Sequence, residues 1–546
     1  MMTENRQSKN SLTEILYDVL ENFPDKHAIV EDNGKSWKGY TFKQLADQVE
    51  AVSSHLQGHG LRAGSKVLCL AMPSFDFTTF IFSLIQIGAI PVLIDPGVGR
   101  RRLLDCIEQV KPDFMFCDPL PYLLKLLCRK SFRSVRLTFS SRYISGRNVI
   151  PFSSLKKSAQ EPLGEMKLDE NAVCVIAFTS GSTGPPKGVV LTQKNISSQK
   201  QAWDREFNLR AEDVDLVTFP LLLLMSNASG RTCIIPKMDF RRPGEVDPRI
   251  ICETATRHQA TFSFGSPALW YNVVAYLSQN QETLPSYRVA VAAGAPITSG
   301  FLEKLKIVLP NARAYSLYGA TEALPITVIE AEELSPTDGM TTSGKGICVG
   351  RPVGDLKMKV IPLTNEAIPL WSDIEVLAED SVGELVIRGE VVSPEYYNLP
   401  EMTAAHKIYS NDGRVVWHRL GDVGRVDDTG RVWIYGRKSH TCTWQDEYYY
   451  PLAVESLFNH LENVRRTALV NVRINGETKL ALVIEPVIRG KKSMQRSVFV
   501  ERAKMWNLPL EHFYVYPSIF PVDPRHNAKI DRSKLSRWAQ NHEWMD

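Results

Sequence analysis

The residues best suited to chemistry lie in one short segment, Phe178-Thr-Ser-Gly-Ser-Thr-Gly-Pro-Pro-Lys-Gly188, directly after an apolar run. Gly181 and Gly184 let the backbone turn sharply and bring amide groups close to an anion. Lys187 adds a compact positive charge. The side chains that offer hydroxyl donors to phosphate oxygens are Thr179, Ser180, Ser182 and Thr183. The segment therefore predicts a phosphate-binding site.

A Walker loop, GxxxxGK[ST], does not account for this segment. Counting from Gly181, the sixth residue is Pro186, and Gly188 follows Lys187 where a Walker loop has Ser or Thr. A flexible serine-glycine surface loop is the simpler alternative. The apolar strand before the segment and the lysine within it favour the phosphate site instead.

The elements around this segment indicate an α/β fold. Residues 67–72 and 90–95 are apolar runs on either side of an apolar helix at 75–87. This β-α-β pattern is typical of a parallel sheet that is covered on both faces. Thr41 and Gln44 have capping-box spacing before an amphipathic helix. Further strand-like runs lie at 172–179, 215–220, 261–265, 289–294 and 312–319.

The second half of the chain has a different pattern. Residues 332–346 are polar and contain glycine, so we expect an exposed loop there. Short strands follow at 356–361, 383–389 and 430–436, which predicts an antiparallel, barrel-like subdomain. The predicted protein thus has a large N-terminal domain, residues 1–437, of two layered α/β sheets plus the barrel-like subdomain. A small α+β module, residues 438–546, follows.

Composition narrows the functional class. A chain of 546 residues exceeds one hydrophobic core, and a net charge of +3 is too weak for a dedicated nucleic-acid binder. The nine cysteines include no CxxC pair, which argues against a zinc knuckle. No apolar stretch reaches the roughly 20 residues of a membrane span, so we expect a cytoplasmic protein. The basic run 100–102 is interpreted as a solvated helix start rather than a contact with anionic lipid or a partner.

Five segments, in order along the chain, resemble the signatures of the adenylate-forming superfamily, which includes acyl-CoA synthetases, peptide-synthetase adenylation domains and luciferases. TSGSTGPPKG is similar to its phosphate-binding signature. Gly294-Ala295-Pro296 resembles the segment that lies along the adenine. Tyr318-Gly319-Ala-Thr321-Glu322 resembles the motif whose aromatic stacks on adenine, whose threonine contacts the α-phosphate and whose glutamate holds Mg²⁺.

The last two segments lie nearer the C-terminus. Asp422, after Gly421, resembles the aspartate that takes the ribose hydroxyls, and Arg437 resembles the arginine beside it. Lys529, in Asn527-Ala-Lys-Ile530, resembles the catalytic lysine of the family. The resemblance implies that a carboxylate attacks the α-phosphorus of ATP and that pyrophosphate leaves. Because both reactants are anions, a mobile Lys529 and Mg²⁺ on Glu322 would cancel their repulsion.

Coenzyme A is a doubtful substrate. Most CoA-using members have a glycine-containing loop just after the hinge, which lines the pantetheine tunnel. The corresponding stretch here, 439–450, contains no glycine. Ser439 stands at the hinge position, which is usually Asp or Lys, and the resemblance implies that residues 438–546 form a small mobile lid that rotates about it. These departures from the family pattern put CoA ligation in doubt.

Four local strings, at 93–109, 318–327, 436–440 and 525–530, are similar to the β-lactone synthetases of bacterial long-chain olefin biosynthesis. Those enzymes adenylate a β-hydroxy fatty acid, whose own hydroxyl then expels AMP and closes a lactone. The resemblance implies ATP, Mg²⁺ and a fatty acid, with thiolase-like and reductase partners. The acyl pocket would include Leu223, Phe264 and Trp270, unless these side chains are ordinary core.

Two alternatives remain open at this point. The first is a fatty-acyl-CoA ligase, or a fatty-acyl-AMP ligase that loads a carrier protein. The second is a non-catalytic nucleotide-binding relative. The presence of Lys529, Glu322 and Asp422 argues against the second alternative.

Overall fold

The computed structural model describes residues 12–156, 168–178, 186–488, 494–522 and 529–543. Strands from these residues form two large, mostly parallel sheets, one antiparallel sheet and a smaller C-terminal sheet with a separate hairpin. Within these ranges, none of the helices combines the length and the apolar character that crossing a bilayer requires.

The first sheet has nine described strands. Their spatial order is Arg351–Pro352, Ala323–Glu330, Arg313–Ala320, Val289–Ala293, Phe262–Gly265, Val214–Leu216, Thr232–Ile235, His27–Asp32 and Trp37–Thr41. The strands from Arg313–Ala320 to His27–Asp32 run parallel. The carboxyl ends of Val289–Ala293 and Arg313–Ala320 therefore lie side by side at one edge of the sheet.

The second sheet has eight described strands. Their spatial order is Glu395–Tyr396, Gly188–Thr192, Val173–Phe178, Ile90–Ile94, Lys66–Leu70, Phe114–Cys117, Leu137–Ser140 and Val149–Pro151. The strands from Val173–Phe178 onward are parallel, which confirms the predicted β-α-β unit. The segment with the predicted phosphate site leaves this sheet directly after Phe178.

The third sheet is antiparallel, as predicted, but its barrel-like closure is not found. Its path of described strands is Ile347–Cys348, Val432–Arg437, Val415–Val426, Gly383–Arg388 and Lys357–Ile361, with Lys407–Tyr409 paired to Val415–Val426. The two ends of this path, Ile347–Cys348 and Lys357–Ile361, pair with different neighbours and not with each other. Alternating apolar residues fix which face of a strand is buried, but they do not fix whether a sheet closes.

Helices cover the sheets. Those described are Leu12–Asn22, Phe42–Gly58, Phe75–Gln86, Arg100–Val110, Pro119–Leu127, Phe152–Leu155, Gln193–Glu206, Pro220–Ala228, Pro248–Arg257, Pro267–Asn280, Ser299–Val308, Ala331–Leu334, Asp338–Thr342, Pro400–His406, Pro451–Ser456, Arg496–Met505 and Arg532–Ala539. The capping box of Thr41 and Gln44 is present. One core joins the two large sheets, because Ile29 of the first and Val67 of the second belong to the same buried cluster.

The predicted loop at 332–346 is wrong in part. Residues Ala331–Leu334 and Asp338–Thr342 are helical, and Thr337 between them is buried. Leu334 packs into the outer core of the first sheet, and Ser299 donates a hydrogen bond to Asp338. The polar sequence concealed short helices that are held by a few inward contacts.

The C-terminal residues build a core of their own. Strands Val464–Ile474, Glu477–Pro486 and His512–Val515 form a sheet, and Cys442–Trp444 pairs with Glu447–Tyr449 in a separate hairpin. Phe458, Phe499 and Phe513 lie at the centre of this core. The sequence pattern predicted such a smaller α+β unit.

Candidate active site

Strands from different sheets bring Tyr318, Asp422 and Arg437 together. Tyr318 lies near the carboxyl end of its first-sheet strand, and its hydroxyl donates to Oδ2 of Asp422 in the third sheet. Asp422 is directly opposite Arg437 in the antiparallel ladder, and its Oδ1 lies 3.0 Å from Nε of Arg437. Tyr318 therefore shares one cluster with Asp422, although the two residues are 104 positions apart in the sequence.

The charge on Asp422 is set by opposing influences. Burial raises the pKa of its carboxyl, while Arg437, the Tyr318 hydroxyl and Lys529 act to lower it. Burial and the negative Asp422 raise the pKa of Tyr318 well above its usual value, so its hydroxyl keeps its proton and donates. A carboxylate has about four lone-pair positions, so two contacts leave room for two vicinal hydroxyls.

Lys529 reaches this cluster from the C-terminal part of the chain. Its ammonium is close enough to lower the pKa of the Asp422 carboxyl. Lys529 itself is exposed and lies just before Ile530, which bridges to Val522. The predicted catalytic lysine is therefore within electrostatic range of the predicted ribose aspartate, although the two are separated by more than a hundred residues.

Glu322 lies in a two-residue turn of the first sheet. Ala320 pairs with Ala323, so Thr321 and Glu322 form the tip of the hairpin. The Tyr396 hydroxyl donates to Oε1 of Glu322 at 2.7 Å, and the Ser393 amide donates to the Glu322 carbonyl at 2.7 Å. These contacts hold the carboxylate at the carboxyl edge of the first sheet.

Lys187 contacts Tyr396, which also binds Glu322, and it contacts His406 as well. Its Nζ is 3.2 Å from Nε2 of His406 and 5.3 Å from the centre of the Tyr396 ring. Burial and the positive Lys187 lower the pKa of His406 to about 4. The neutral imidazole can accept from Lys187 through Nε2 while Nδ1 donates to the Arg419 carbonyl at 3.3 Å. His406 therefore orients the Lys187 ammonium.

The predicted adenine segment follows the neighbouring strand. Ala293 pairs with Leu317, which places Gly294, Ala295 and Pro296 next to Tyr318. Gly294 has a φ of +102°, a conformation that a side chain disfavours. The backbone can therefore turn closely past the Tyr318 strand.

Part of the predicted phosphate site lies outside the described residues: Thr179, Ser180, Gly181, Ser182, Thr183 and Gly184. The two ends of this segment are described. Phe178 pairs with Gly188, and a side chain at Gly188 would lie 2.8 Å from the Phe178 ring. The segment thus leaves and rejoins the second sheet at one point, with Lys187 beside it.

The predicted acyl-pocket residues do not lie together. Leu223 is fully buried in the core between the two large sheets, and Phe264 packs against that core. Trp270 lies in the outer core of the first sheet, where its Nε1 donates to the Val291 carbonyl at 3.0 Å. Ser439, the predicted hinge, is exposed within the short turn Lys438–His440.

Sequence reasoning missed Tyr396, His406 and Lys407. The Lys407 ammonium is buried, and it donates to the Ser393 carbonyl at 2.5 Å and lies 5.9 Å from the Tyr396 ring. Burial lowers its pKa to about 7. These residues support Glu322 and Lys187 through pairing between Glu395–Tyr396 and Gly188–Thr192, which are about two hundred positions apart. The one sequence feature that could have pointed to them is the neighbouring pair His406 and Lys407.

The site fits a magnesium ion that arrives with a nucleotide. Glu322 offers a carboxylate that Tyr396 occupies at one oxygen. Mg²⁺ usually takes one or two carboxylates, with phosphate oxygens and waters completing its shell. Among the described residues, no group of three His, Cys, Asp or Glu side chains forms an all-protein metal cage. Glu322 would be the protein ligand.

Comparison with known proteins identifies the fold and the family. The AMP-binding enzyme family matches residues 16–397. The chain belongs to the AMP-binding enzyme family. An olefin beta-lactone synthetase of Stenotrophomonas maltophilia is 36% identical over 509 residues, which cover 91% of each chain. An olefin beta-lactone synthetase of Xanthomonas campestris is 35% identical and covers 94% of this chain and 95% of its own.

Solved structures agree with this family in fold. The amide bond synthetase McbA from Marinactinospora thermotolerans has a TM-score of 0.78 at 20% identity and covers 96% of this chain and 99% of its own. ATP-bound MatB from Rhodopseudomonas palustris has a TM-score of 0.77 at 18% identity, with 97% and 99% coverage. The predicted fold class is confirmed apart from the barrel, and this AMP-binding enzyme activates an acid with ATP.

Replacing His406 with alanine is expected to lower acid-dependent ATP–pyrophosphate exchange by about 10- to 150-fold, because a hydrogen bond to a charged group contributes about 1.5–3 kcal/mol. The loss should appear mainly in the apparent KM for ATP, since Lys187 would no longer be held. His406→Gln supplies an acceptor oxygen and should recover part of the affinity. Equal KM values for ATP in the parent protein and His406→Ala would contradict the assignment.

Proposed function

We propose that this protein is an ATP-dependent β-lactone synthetase of a β-hydroxy fatty acid. The main support is similarity over nearly the full length to two olefin beta-lactone synthetases, at 36% and 35% identity. The convergence of Tyr318, Asp422, Arg437 and Lys529 supports the first half-reaction, the adenylation of the acid. In that step a carboxylate oxygen bonds to the α-phosphorus and pyrophosphate leaves.

Each residue of the site has a role in the proposal. Asp422 accepts the two ribose hydroxyls, and Arg437 keeps that carboxylate ionised. Lys187 contacts the phosphates, and Lys529 neutralises charge between the incoming carboxylate and the α-phosphate. Mg²⁺ bound to Glu322 would neutralise charge on the polyphosphate. These groups cancel the repulsion between two anions at the point where they must meet.

The second half-reaction needs no further substrate. The β-hydroxyl of the bound acyl adenylate attacks the activated carbonyl, AMP leaves, and the hydroxyl proton passes to water. Tethered nucleophiles can reach effective molarities of about 10⁵ M in favourable geometry. A folded acyl chain in the pocket can therefore compensate for part of the ring strain.

The segment after the proposed hinge supports a reaction without CoA. Cys442–Trp444 and Glu447–Tyr449 form a tight hairpin whose turn residues, Gln445 and Asp446, have φ of +50° and +64°. Cys442 is buried in the C-terminal core, and Thr443 exchanges hydrogen bonds with Asn471. Bulky side chains in a fixed hairpin are poorly suited to line a pantetheine tunnel, which favours glycine.

The proposal also covers the acyl pocket, the two domains and the cellular location of the protein. Leu223 and Phe264 are the better candidates for the acyl pocket because they share the core between the two large sheets. Residues 1–437 and 438–546 act as an adenylation domain and a lid that rotates about Ser439. The protein works in the cytoplasm, where thiolase-like and reductase enzymes of an olefin pathway supply its substrate.

A product assay tests this function. Purified protein, ATP, Mg²⁺ and a 2-alkyl-3-hydroxy fatty acid should release AMP and give a product with the mass of the lactone in the absence of CoA. The matched 2-alkyl acid without the hydroxyl should support ATP–pyrophosphate exchange but no lactone. Turnover that appears solely with CoA or a carrier protein would favour a fatty-acyl ligase. An absence of exchange over a panel of carboxylic acids would favour the non-catalytic alternative.

A further inference from the structure

One helix of the second sheet presents apolar side chains to solvent. Within Pro119–Leu127, the exposed fractions are 66% for Leu120, 50% for Leu123, 44% for Leu126 and 69% for Leu127. Residues three, six and seven positions apart lie on one side of a helix. The lysine of this helix points elsewhere, because Nζ of Lys125 donates to Thr138 at 2.6 Å. The exposed side is therefore apolar and uncharged.

The chain around this helix carries a local excess of positive charge. Residues 100–156 contain twelve Lys and Arg but four Asp and Glu, a net charge of +8, whereas the whole chain has a net charge of +3. The remaining residues are therefore net acidic. Exposed cations before and after the helix in the sequence include Arg100, Arg129, Lys130, Arg142 and Arg147.

Contacts place Arg100 and the loop that contains Arg142 beside this helix. Nη2 of Arg100 lies 3.4 Å from Sγ of Cys128, directly after the helix. The loop with Arg142 packs against the helix at Tyr122, where a side chain on Gly146 would lie 2.4 Å from the tyrosine oxygen. Tyr143 of that loop is 81% exposed. We call Leu120, Leu123, Leu126, Leu127, Tyr143 and these cations the leucine–arginine surface.

The helix of the leucine–arginine surface begins at the same edge of the second sheet that the phosphate segment leaves. The helix starts after Phe114–Cys117, and the phosphate segment starts after the parallel strand Val173–Phe178. The strand ends are level, because Asp95 N donates to the Phe178 carbonyl at 3.3 Å and Asp118 N donates to the Leu70 carbonyl at 3.3 Å. Three interstrand spacings separate the two exits, roughly 14 Å at ~4.8 Å each.

We propose that the leucine–arginine surface docks on an anionic lipid membrane. An apolar helix side inserts at the boundary between headgroups and acyl chains, and flanking Arg and Lys contact lipid phosphates, which is how interfacial helices bind. The local excess of positive charge in an otherwise acidic molecule favours an anionic surface and orients the active-site edge toward it.

Docking would serve the reaction. A long-chain acid partitions into lipid, so an enzyme held at the bilayer draws on a higher local concentration of substrate than one in bulk water. This advantage rests on the proposed function, whereas lipid binding itself does not. Vesicle binding can therefore be measured without ATP or acid, and its failure would leave the lactone assay unaffected.

The test is co-sedimentation of the full-length protein with vesicles. Vesicles of phosphatidylcholine with phosphatidylglycerol should bind the protein at least about tenfold more strongly than vesicles of phosphatidylcholine alone, and added salt should weaken the binding, because exposed charges are screened. Leu123→Asp with Leu127→Asp should lower the partition about tenfold. Arg129→Glu with Lys130→Glu should lower it similarly and reduce its salt dependence.

Matched controls lie on another helix of the protein. In Ser299–Val308, Ile307 is 71% exposed and Lys304 is also exposed, so Ile307→Asp with Lys304→Glu repeats both kinds of change elsewhere. This control should bind vesicles like the parent, and circular dichroism should show that all variants are folded. Failure of the parent to bind anionic vesicles, or equal loss in the control, would overturn the proposal. Light scattering gives a further outcome. If the parent does not bind vesicles and the surface variants differ from the parent in mass, the surface would be assigned to a protein contact.

Discussion

Lys529→Ala is expected to lower acid-dependent ATP–pyrophosphate exchange about 10²–10³-fold, the usual cost of removing one preorganised electrostatic contact to a transition state. The acid carboxylate and the triphosphate repel each other, and the transition state adds charge to the oxygens of the α-phosphate. The Lys529 ammonium acts to lower the pKa of the Asp422 carboxyl, so in the proposal it lies toward the ribose end of the nucleotide. Movement of the proposed lid would bring it to the α-phosphate.

The exchange assay of Lys529→Ala is accompanied by an ATP-binding measurement and a control variant. ATP affinity, followed by equilibrium binding, should change little, because Asp422, Tyr318 and Lys187 hold the nucleotide in the proposal. Lys534→Ala is the matched control: this lysine lies on the nearby helix Arg532–Ala539, and its side chain is 63% exposed and pairs with Asp531 at 3.0 Å. It should leave exchange unchanged. Near-normal exchange in Lys529→Ala would show that another cation performs the neutralisation.

Local sequence patterns predicted the elements because their causes are local. The capping box of Thr41 and Gln44 needs only residues three positions apart, and the β-α-β unit follows from apolar runs of the right length. The helices around Thr337 were missed because polar composition was taken to mean exposure. A few inward side chains, such as Leu334, were enough to order that segment.

The site could be predicted in outline, because motif residues such as Tyr318, Asp422 and Lys529 occur in the order of a known family. The residues that support them could not be predicted. Tyr396 reaches Glu322 because a two-residue strand pairs with Val189 and Val190 far away in the chain. His406 reaches Lys187 across 219 positions. Such contacts depend on register between distant strands, which single-sequence periodicity does not encode.

The residues predicted for the acyl pocket lie on both sides of the first sheet. Leu223, Phe264 and Trp270 are all apolar and lie within fifty positions of one another. The first sheet nevertheless separates them, because Trp270 lies in its outer core and the other two contact the core between the large sheets. Hydrophobicity predicts burial, but it does not indicate which side of a sheet a helix covers.

Glu384→Ala is expected to lower the free energy of unfolding by about 3–5 kcal/mol, the usual cost of leaving a buried charge without its partner. The Glu384 and Arg419 side chains are 1% and 2% exposed, and Nη2 of Arg419 lies 2.6 Å from Oε2 of Glu384. Nζ of Lys438 lies 3.0 Å from the same oxygen. Removing the carboxylate therefore strands two cations, one of them fully enclosed.

Urea unfolding followed by tryptophan fluorescence would measure this loss. Asp412→Ala is the matched control, because Asp412 pairs with Arg414 on the surface, where an ion pair contributes about 0–1 kcal/mol. A double variant, Glu384→Leu with Arg419→Met, should be less destabilised than Glu384→Ala, since it removes the enclosed charge as well as its partner. Equal losses in Glu384→Ala and Asp412→Ala would show that water reaches the buried pair.

The same ion pair bears on the proposed lid movement. Lys438 directly precedes Ser439, and its ammonium is held by Glu384 and by the Thr364 carbonyl at 2.8 Å, both in the N-terminal part. The chain is thus anchored up to Lys438, so a rotation of the C-terminal part must begin at Ser439 or later. Lys438→Met should release this anchor while it leaves Arg419 paired. It should therefore destabilise the fold less than Glu384→Ala, and lower the exchange rate through poorer delivery of Lys529.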